Sequence, residues 1–488
     1  MNRRSGLWAV PLMLSLAGPA LGQVELKKFQ RQLEQIQRDT KMSVSSEVPP
    51  GQRALIDYGG FYTFNFLAID DIGQETHILR QSNLTRYARV NIDGVHEFFL
   101  RVRTTYRDFN TGDAFDGHGD DWVESTLDRG HYRFNLGRAV EAYEGRKIDG
   151  NLTIQVGRQL VHWANGLTLI QEIDGGQVTV KRGRFTLATV AGRSRTSVTD
   201  IDSSRPGFSS DTNRGFYGGM LAYEVTPRHK PYVYGLVQVD DNDSDVLLFD
   251  TSGTPGDTSD DVVTRFDYDS YYIGVGSNGS IGDQMLYGVE LVYEGGEGLS
   301  NSFDPDTVEQ VSQTHEDIQA FAADVRVDYL LTDPNRTRLS GEIIIATGDT
   351  DRLTTSNTFG GNQPGTHDHA FNGFGLINTG LAFSPEVSNL LLFRLGASTF
   401  PLPNHPSFKR LQVGANLFII NKLNRSAPID EATNGKTYLG IEPDVYANWQ
   451  VKSDVSLTVR YGVFFPGDAI ATDHDTRHFF FTGVTVAF

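Results

Sequence analysis

From Arg53 to Phe488, apolar and polar residues alternate with a period of two, in runs broken by Gly, Asp, Asn and Pro. A period of two describes β-strands with two chemically distinct faces. Nineteen runs can be marked: 53–70, 76–92, 95–109, 131–144, 151–163, 176–182, 184–196, 214–226, 230–241, 265–278, 284–294, 317–331, 337–348, 374–386, 389–401, 410–423, 439–452, 455–466 and 476–488. The last ends on Phe488 and places His478, Phe480, Thr482, Val484, Val486 and Phe488 on one face. A closing barrel strand whose outer face meets lipid has this form. Tight turns at Gly94, Asp149-Gly150, Pro227, Asn278-Gly279 and Lys452–Asp454 alternate with long loops at 108–129, 197–213, 240–264, 295–316 and 348–372. Short turns at one rim and long loops at the other predict an all-β, antiparallel transmembrane barrel. Both chain ends on one side require an even strand number. Eighteen is the nearest that leaves one run as a misread loop.

Before the runs, Leu26, Phe29, Leu33 and Ile36 recur at helical spacing within 24–40. This predicts a short periplasmic helix touching the barrel mouth. Ser43–Gln52, with Pro49-Pro50-Gly51, reads as a linker. Earlier still, Arg3-Arg4, the apolar stretch Leu7–Ala17 and the small-x-small site Ala20-Leu21-Gly22 read as a cleaved signal peptide. The organisation is therefore 1–22 signal, 23–52 helix and linker, and 53–488 barrel, with the outer membrane of a Gram-negative bacterium as destination.

Strand parity then assigns charges to a lumen. Arg101, Arg103 and Arg107 alternate with Phe98, Leu100, Val102 and Tyr106. Asp324, Arg326 and Asp328 alternate with Val325, Val327 and Tyr329. Glu290, Glu342, Arg394, Glu442, Asp444 and Arg460 likewise oppose apolar neighbours. An Arg facing lipid near the midplane would cost about 2–4 kcal/mol, so these groups point inward. Rings of such charges select permeating ions. The competing account is an internal ion-pair lattice that only stiffens the wall.

Composition changes the picture little. The 51 Gly and 19 Tyr suit turns and membrane interfaces, and a net charge of -18 with pI about 5.1 argues against nucleic acid as a partner. A mean hydropathy of -0.33 is ordinary for strands that are polar at every second position. Without Cys there is no disulfide framework or thiolate chemistry.

Several segments resemble the alginate export family of outer-membrane barrels. They are Val156-Gly157-Arg158-Gln159 with Trp163-Ala164-Asn165-Gly166, then Ala346-Thr347-Gly348-Asp349, Tyr438-Leu439-Gly440-Ile441-Glu442-Pro443-Asp444, and Tyr461-Gly462-Val463-Phe464-Phe465-Pro466-Gly467-Asp468. The resemblance implies an eighteen-stranded exporter of an anionic polysaccharide, with Arg158 and lumen arginines along the polymer path. The expected partners are anionic polysaccharide or small anionic solutes, lipid and lipopolysaccharide, and the barrel-assembly machinery, for which Phe488 is the signal. A general or substrate-specific porin and a structural barrel with a plugged lumen are the alternatives. An outer-membrane hydrolase is a further one, although no nucleophile and base can be paired and no enzyme is expected. No cofactor or metal is expected either: His367-Asp368-His369 lacks a specified third ligand, and Asp240–Asp245 lacks the Gly and closing Glu of a calcium loop.

Overall fold

The alternating runs become the wall of one closed barrel in the computed structural model, which describes residues 18–39, 54–114, 119–242, 245–250, 261–472 and 474–488. The linker Ser43–Gln52, most of the signal segment, Asp243, Ser244 and Asp473 lie outside the described residues. The first half of the wall comprises β1 (Leu55–Asp70), β2 (Thr76–Ile92), β3 (His96–Phe109), β4 (Asp121–Asn135), β5 (Asn151–His162), β6 (Ile170–Arg182), β7 (Phe185–Ser194), β8 (Arg214–Tyr223) and β9 (His229–Asp240). A small hairpin, β10 (Val246–Phe249) and β11 (Val262–Arg265), lies in the next loop. The wall resumes with β12 (Tyr268–Ile281), β13 (Met285–Leu299), β14 (His315–Leu330), β15 (Arg338–Ala346) and β16 (Leu390–Thr399). It ends with β17 (Leu411–Lys422), β18 (Tyr438–Gln450), β19 (Val455–Pro466) and β20 (Arg477–Ala487). Eighteen strands thus pair antiparallel, and β20 returns to β1 in the register Phe61↔Ala487 to Ile69↔Phe479. Closure leaves the sheet without a free edge, as hydrocarbon demands of backbone donors and acceptors.

The faces follow parity. Phe98, Leu291 and Val445 are about half exposed on the outside, while Glu290, Asp324 and Glu442 are wholly buried inside. The described residues contain no helix long and apolar enough to cross a membrane.

Three elements differ from the sequence expectation. The run 131–144 is the end of β4 followed by helix α2 (Leu136–Glu144). Asn135 caps it by accepting from the Arg138 amide, and Gly145 closes it in the left-handed region at φ 69°. The run 374–386 is the surplus one and is not a strand: it is apolar because it folds into the lumen as part of the 347–389 loop. The N-terminal helix, α1 (Gly18–Asp39), lies inside the barrel rather than at its mouth. There its Lys27 ammonium donates to the Ile201 carbonyl and its Gln32 amide to the Leu381 carbonyl.

Candidate functional site

Much of the lumen is filled by chain. Loops 163–169, 195–213 and 347–389 fold inward beside α1, and the wall holds them through buried carboxylates. Glu290 accepts from the Asn165 amide at 2.9 Å and the Tyr234 hydroxyl at 2.6 Å. Glu294 accepts from the Asn372 amide at 2.7 Å and from the hydroxyls of Tyr268 and Tyr272 at 2.7 and 3.1 Å. Glu442 accepts from the amides of Leu381, Ala382 and Phe383, the last two at 2.8 Å. Gly380, at φ 129°, permits this approach: a Cβ there would lie 2.8 Å from a Glu442 oxygen. Arg214 holds the second loop, pairing with Asp200 at 2.8 Å and with Asp240 at 2.9 Å. Each carboxyl group is buried together with several donors, which satisfy its oxygens away from water.

A cavity of about 780 Å³ remains between α1, the upper halves of β1–β4 and the inward loops. Arg101, Arg103 and Arg107 of β3 line it. Arg101 is ion-paired with Asp128, and Arg103 lies 3.6 Å from the same carboxylate. Glu172 sits between Arg195 at 3.2 Å and Arg129 at 4.0 Å. Seven cations (Lys27, Arg31, Arg101, Arg103, Arg107, Arg129, Arg195) face five carboxylates (Glu34, Asp121, Asp128, Glu172, Glu386). The cavity is locally basic within a strongly acidic chain.

Helix α1 closes one side of it. Phe29, Leu33 and Ile36 are buried in the lumen core. Lys27 and Arg31 reach Glu386 at 2.6 and 3.5 Å. Burial pushes the Glu386 carboxyl up, but Lys27 and Arg31 outweigh this and hold it below the ordinary carboxylate range. Glu34 instead extends into the cavity. Enclosure within the barrel, and then Glu172, raise its carboxyl to about 7 against the pull of Arg103, Arg195 and Arg31.

The other residues singled out by parity fall elsewhere. Arg394 pairs with Glu342 at 2.8 Å, and Asp328 with Arg338 at 2.7 Å near the short-turn rim. Asp324 is buried between Glu290 and Ile344 in register. Arg326 reaches the Asn165 side chain at 3.5 Å. Asp444 and Arg460 are buried on the lumen face, where a Cβ at Gly462 would touch both Asp444 and Leu381. Arg158 is not among the residues lining the cavity. It pairs with Asp174 through two nitrogens at 2.6 and 2.7 Å and donates to the Leu127 carbonyl at 2.9 Å.

Sequence reasoning missed Lys27, Arg31, Glu34, Asp128, Arg129, Glu172 and Arg195. Asp128 and Arg129 lie between Asp- and Gly-rich flanks that have the composition of a loop, and helical spacing within 24–40 carries no sign of which side of the barrel the helix occupies. The one available signal was alternation in 121–129, masked by its Asp and Gly flanks. His367-Asp368-His369 is committed elsewhere: Asp368 pairs with Arg352, and His369 contacts the Gln319 carbonyl at 2.9 Å. Among the described residues no three His, Asp or Glu side chains converge as metal ligands.

Known proteins bear on this architecture. A family model described as alginate export matches residues 74–482. The barrel is similar to Pseudomonas aeruginosa OccK11, with TM-score 0.50 and 10% identity over 92% of this chain and 100% of that one. It is similar also to Acinetobacter baumannii OccAB1, at TM-score 0.52 and 12% identity over 89% of this chain and 96% of that one. P. aeruginosa OccK8 matches at TM-score 0.51 and 12% identity, over 89% and 98% of the two chains. At such identities the likeness concerns the fold. No curated protein matches the chain.

Proposed function

Since the chain belongs to the alginate export family and is an outer-membrane β-barrel channel, we propose that it passes anionic solutes, an acidic polysaccharide among them, through the basic cavity. The observation that carries this reading is the arginine row of β3, facing the cavity in a chain of net charge -18. Guanidinium groups stay charged at any working pH and pair in two-pronged fashion with the carboxylates of a uronate chain. Arg103 and Arg107 are the residues of choice for that contact. Arg101, tied to Asp128, positions the row.

In this reading a signal peptide is removed before Gln23, the short turns face the periplasm of a Gram-negative cell, and the long loops face lipopolysaccharide. The inward loops and α1 favour a channel that is narrow at rest, and a structural barrel with a plugged lumen is the second reading. Single-channel recording in planar bilayers separates them. The channel reading expects a finite conductance with anion preference. It expects block by polyuronate but not by a neutral polymer, and R103Q/R107Q should shift the reversal potential toward cations and weaken the block. A folded barrel with no conductance, or unchanged selectivity in R103Q/R107Q, would overturn it.

A further inference from the structure

The Gly157-Arg158-Gln159 and Trp163–Gly166 segments do more than fill space. Strands β4 and β5 pair at six positions only, from Gly130↔Arg158 to Asn135↔Thr153. Above these, β4 continues against β3 as far as Arg107↔Asp121, while β5 continues against β6 alone. The wall divides there because the β5–β6 hairpin leans into the lumen. Its tip is fixed by Glu290 on the Asn165 amide and by Ile170 donating to the Phe374 carbonyl at 2.9 Å.

The bend runs along a row of glycines. Gly157 has φ 124°, and a Cβ on it would lie 2.3 Å from the Gly130 carbonyl oxygen. Gly175, its register partner, would put one 2.3 Å from the Ala191 oxygen. No other residue allows strands to cross so closely while turning inward.

Side chains, not a backbone ladder, bridge the resulting seam. Arg158 donates to the Leu127 carbonyl, and Arg129 faces Glu172. Arg158 and Asp174 share a strand face with exposed Val156, and Asp174 is itself about half exposed. An Arg on a lipid-facing surface near the midplane would cost about 2–4 kcal/mol, so this ion pair marks a hydrated notch in the wall. Val123 and Thr126 on one side of the seam, and Leu160 and Glu172 on the other, all line the lumen cavity. The cavity therefore reaches the seam. Its hairpin side carries an apolar patch of Leu160, Leu167 and Ile170 beside Gln171 and Glu172, and its β3 side is basic.

The geometry points to a lateral portal between β4 and the β5–β6 hairpin that admits an anionic amphiphile from the membrane plane. The acyl chain lies against the hairpin and its carboxylate faces Arg103. This route is separate from the axial path proposed above. Arg158 and Glu172 act as latches on the hairpin, and the glycine row is its hinge.

The chain contains no Cys, so V123C/L160C can be bridged uniquely by a short bismaleimide in the full-length protein in lipid nanodiscs. Radiolabelled dodecanoate is the probe, with acetate as the chain-free control. Saturable binding of dodecanoate above empty nanodiscs is expected, tighter than acetate by on the order of a hundredfold or more, since each buried methylene contributes. Cross-linking should slow its entry by about tenfold or more relative to the uncross-linked V123C/L160C protein, whose own binding and entry rate set the reference. Equal entry rates before and after cross-linking would overturn the portal. Dodecanoate binding no tighter than acetate would overturn the amphiphile. Because binding is read without current, a non-conducting barrel would sink the axial channel and leave this test intact.

Discussion

A buried carboxylate in this lumen is useful because of the donors it gathers. Glu442 holds three consecutive amides of the 380–383 turn, and truncation leaves them without their acceptor. Each stranded amide costs roughly 1–3 kcal/mol, far more than the wall loses. E442A should therefore free the loop while the barrel still forms. Hydrogen exchange at Leu381–Phe383 should rise by orders of magnitude, with electrophoretic heat-modifiability unchanged; exchange as slow as wild type would refute the anchor. Arg101 and Arg103 look equivalent in sequence but not in space. Arg101 and Asp128 are both nearly inaccessible, whereas Arg103 is about a third exposed. R101Q removes the close partner of a buried carboxylate, leaving it the more distant Arg103, and should cost about 3–5 kcal/mol. R103Q should cost under about 1 kcal/mol, as for a partly solvated pair. Urea midpoints of the two variants in liposomes decide the point, and equal losses would count against it.

At the scale of elements, α1 is the clearest case of a correct element in an unexpected place. Its apolar stripe Phe29, Leu33 and Ile36 needs cover, and the lumen loops supply it. Its charges bring a pH dependence. Docking pushes the Glu34 carboxyl up from its ordinary 4.5 to about 7. The released helix binds fewer protons between these values, so docking weakens as pH rises from about 4.5 to 7 and is level above that. Glu386 acts oppositely: its lowered docked value means that docking is lost as pH falls below about 4.5. The helix should be held best near pH 5. A spin label at Gln30 should sharpen in mobility between about pH 5 and 8 in wild type and not in E34Q. A wild-type signal constant over that interval would contradict the assignment.

At the scale of the molecule, stability rests on closure. The Phe488 backbone exchanges hydrogen bonds with Gly60, both at 2.9 Å, and its ring covers the place where a Gly60 side chain would be. Deleting Phe488 removes the last pair of the closing ladder without touching the lumen. Assembled barrel should fall several-fold in the membrane, by an estimate of about 1–2 kcal/mol for two bonds and a ring contact, while surviving channels keep wild-type conductance. Quantifying the heat-modifiable band alongside single-channel recording tests both halves, and wild-type assembly would refute the first.

Alternation, taken with the even strand number that chain ends on one side require, determined most of the wall: eighteen strands, their inward and outward faces, the closing strand and the short and long rims. Those features are local, because a strand's two faces are written every second residue and lipid tolerates only one of the two chemistries. Run 374–386 shows where this stops. Its residues are as apolar as a strand's, yet they are covered by lumen packing and by Glu442, which a one-dimensional pattern cannot show. Asp128 and Glu172 were equally invisible, since their meaning comes from Arg101 and Arg195 far along the chain. The basic cavity, the inward place of α1 and the division of the wall at Gly157 were decided only by the tertiary structure. Each depends on which distant groups closure brings within a few bond lengths, and sequence spacing carries no record of that.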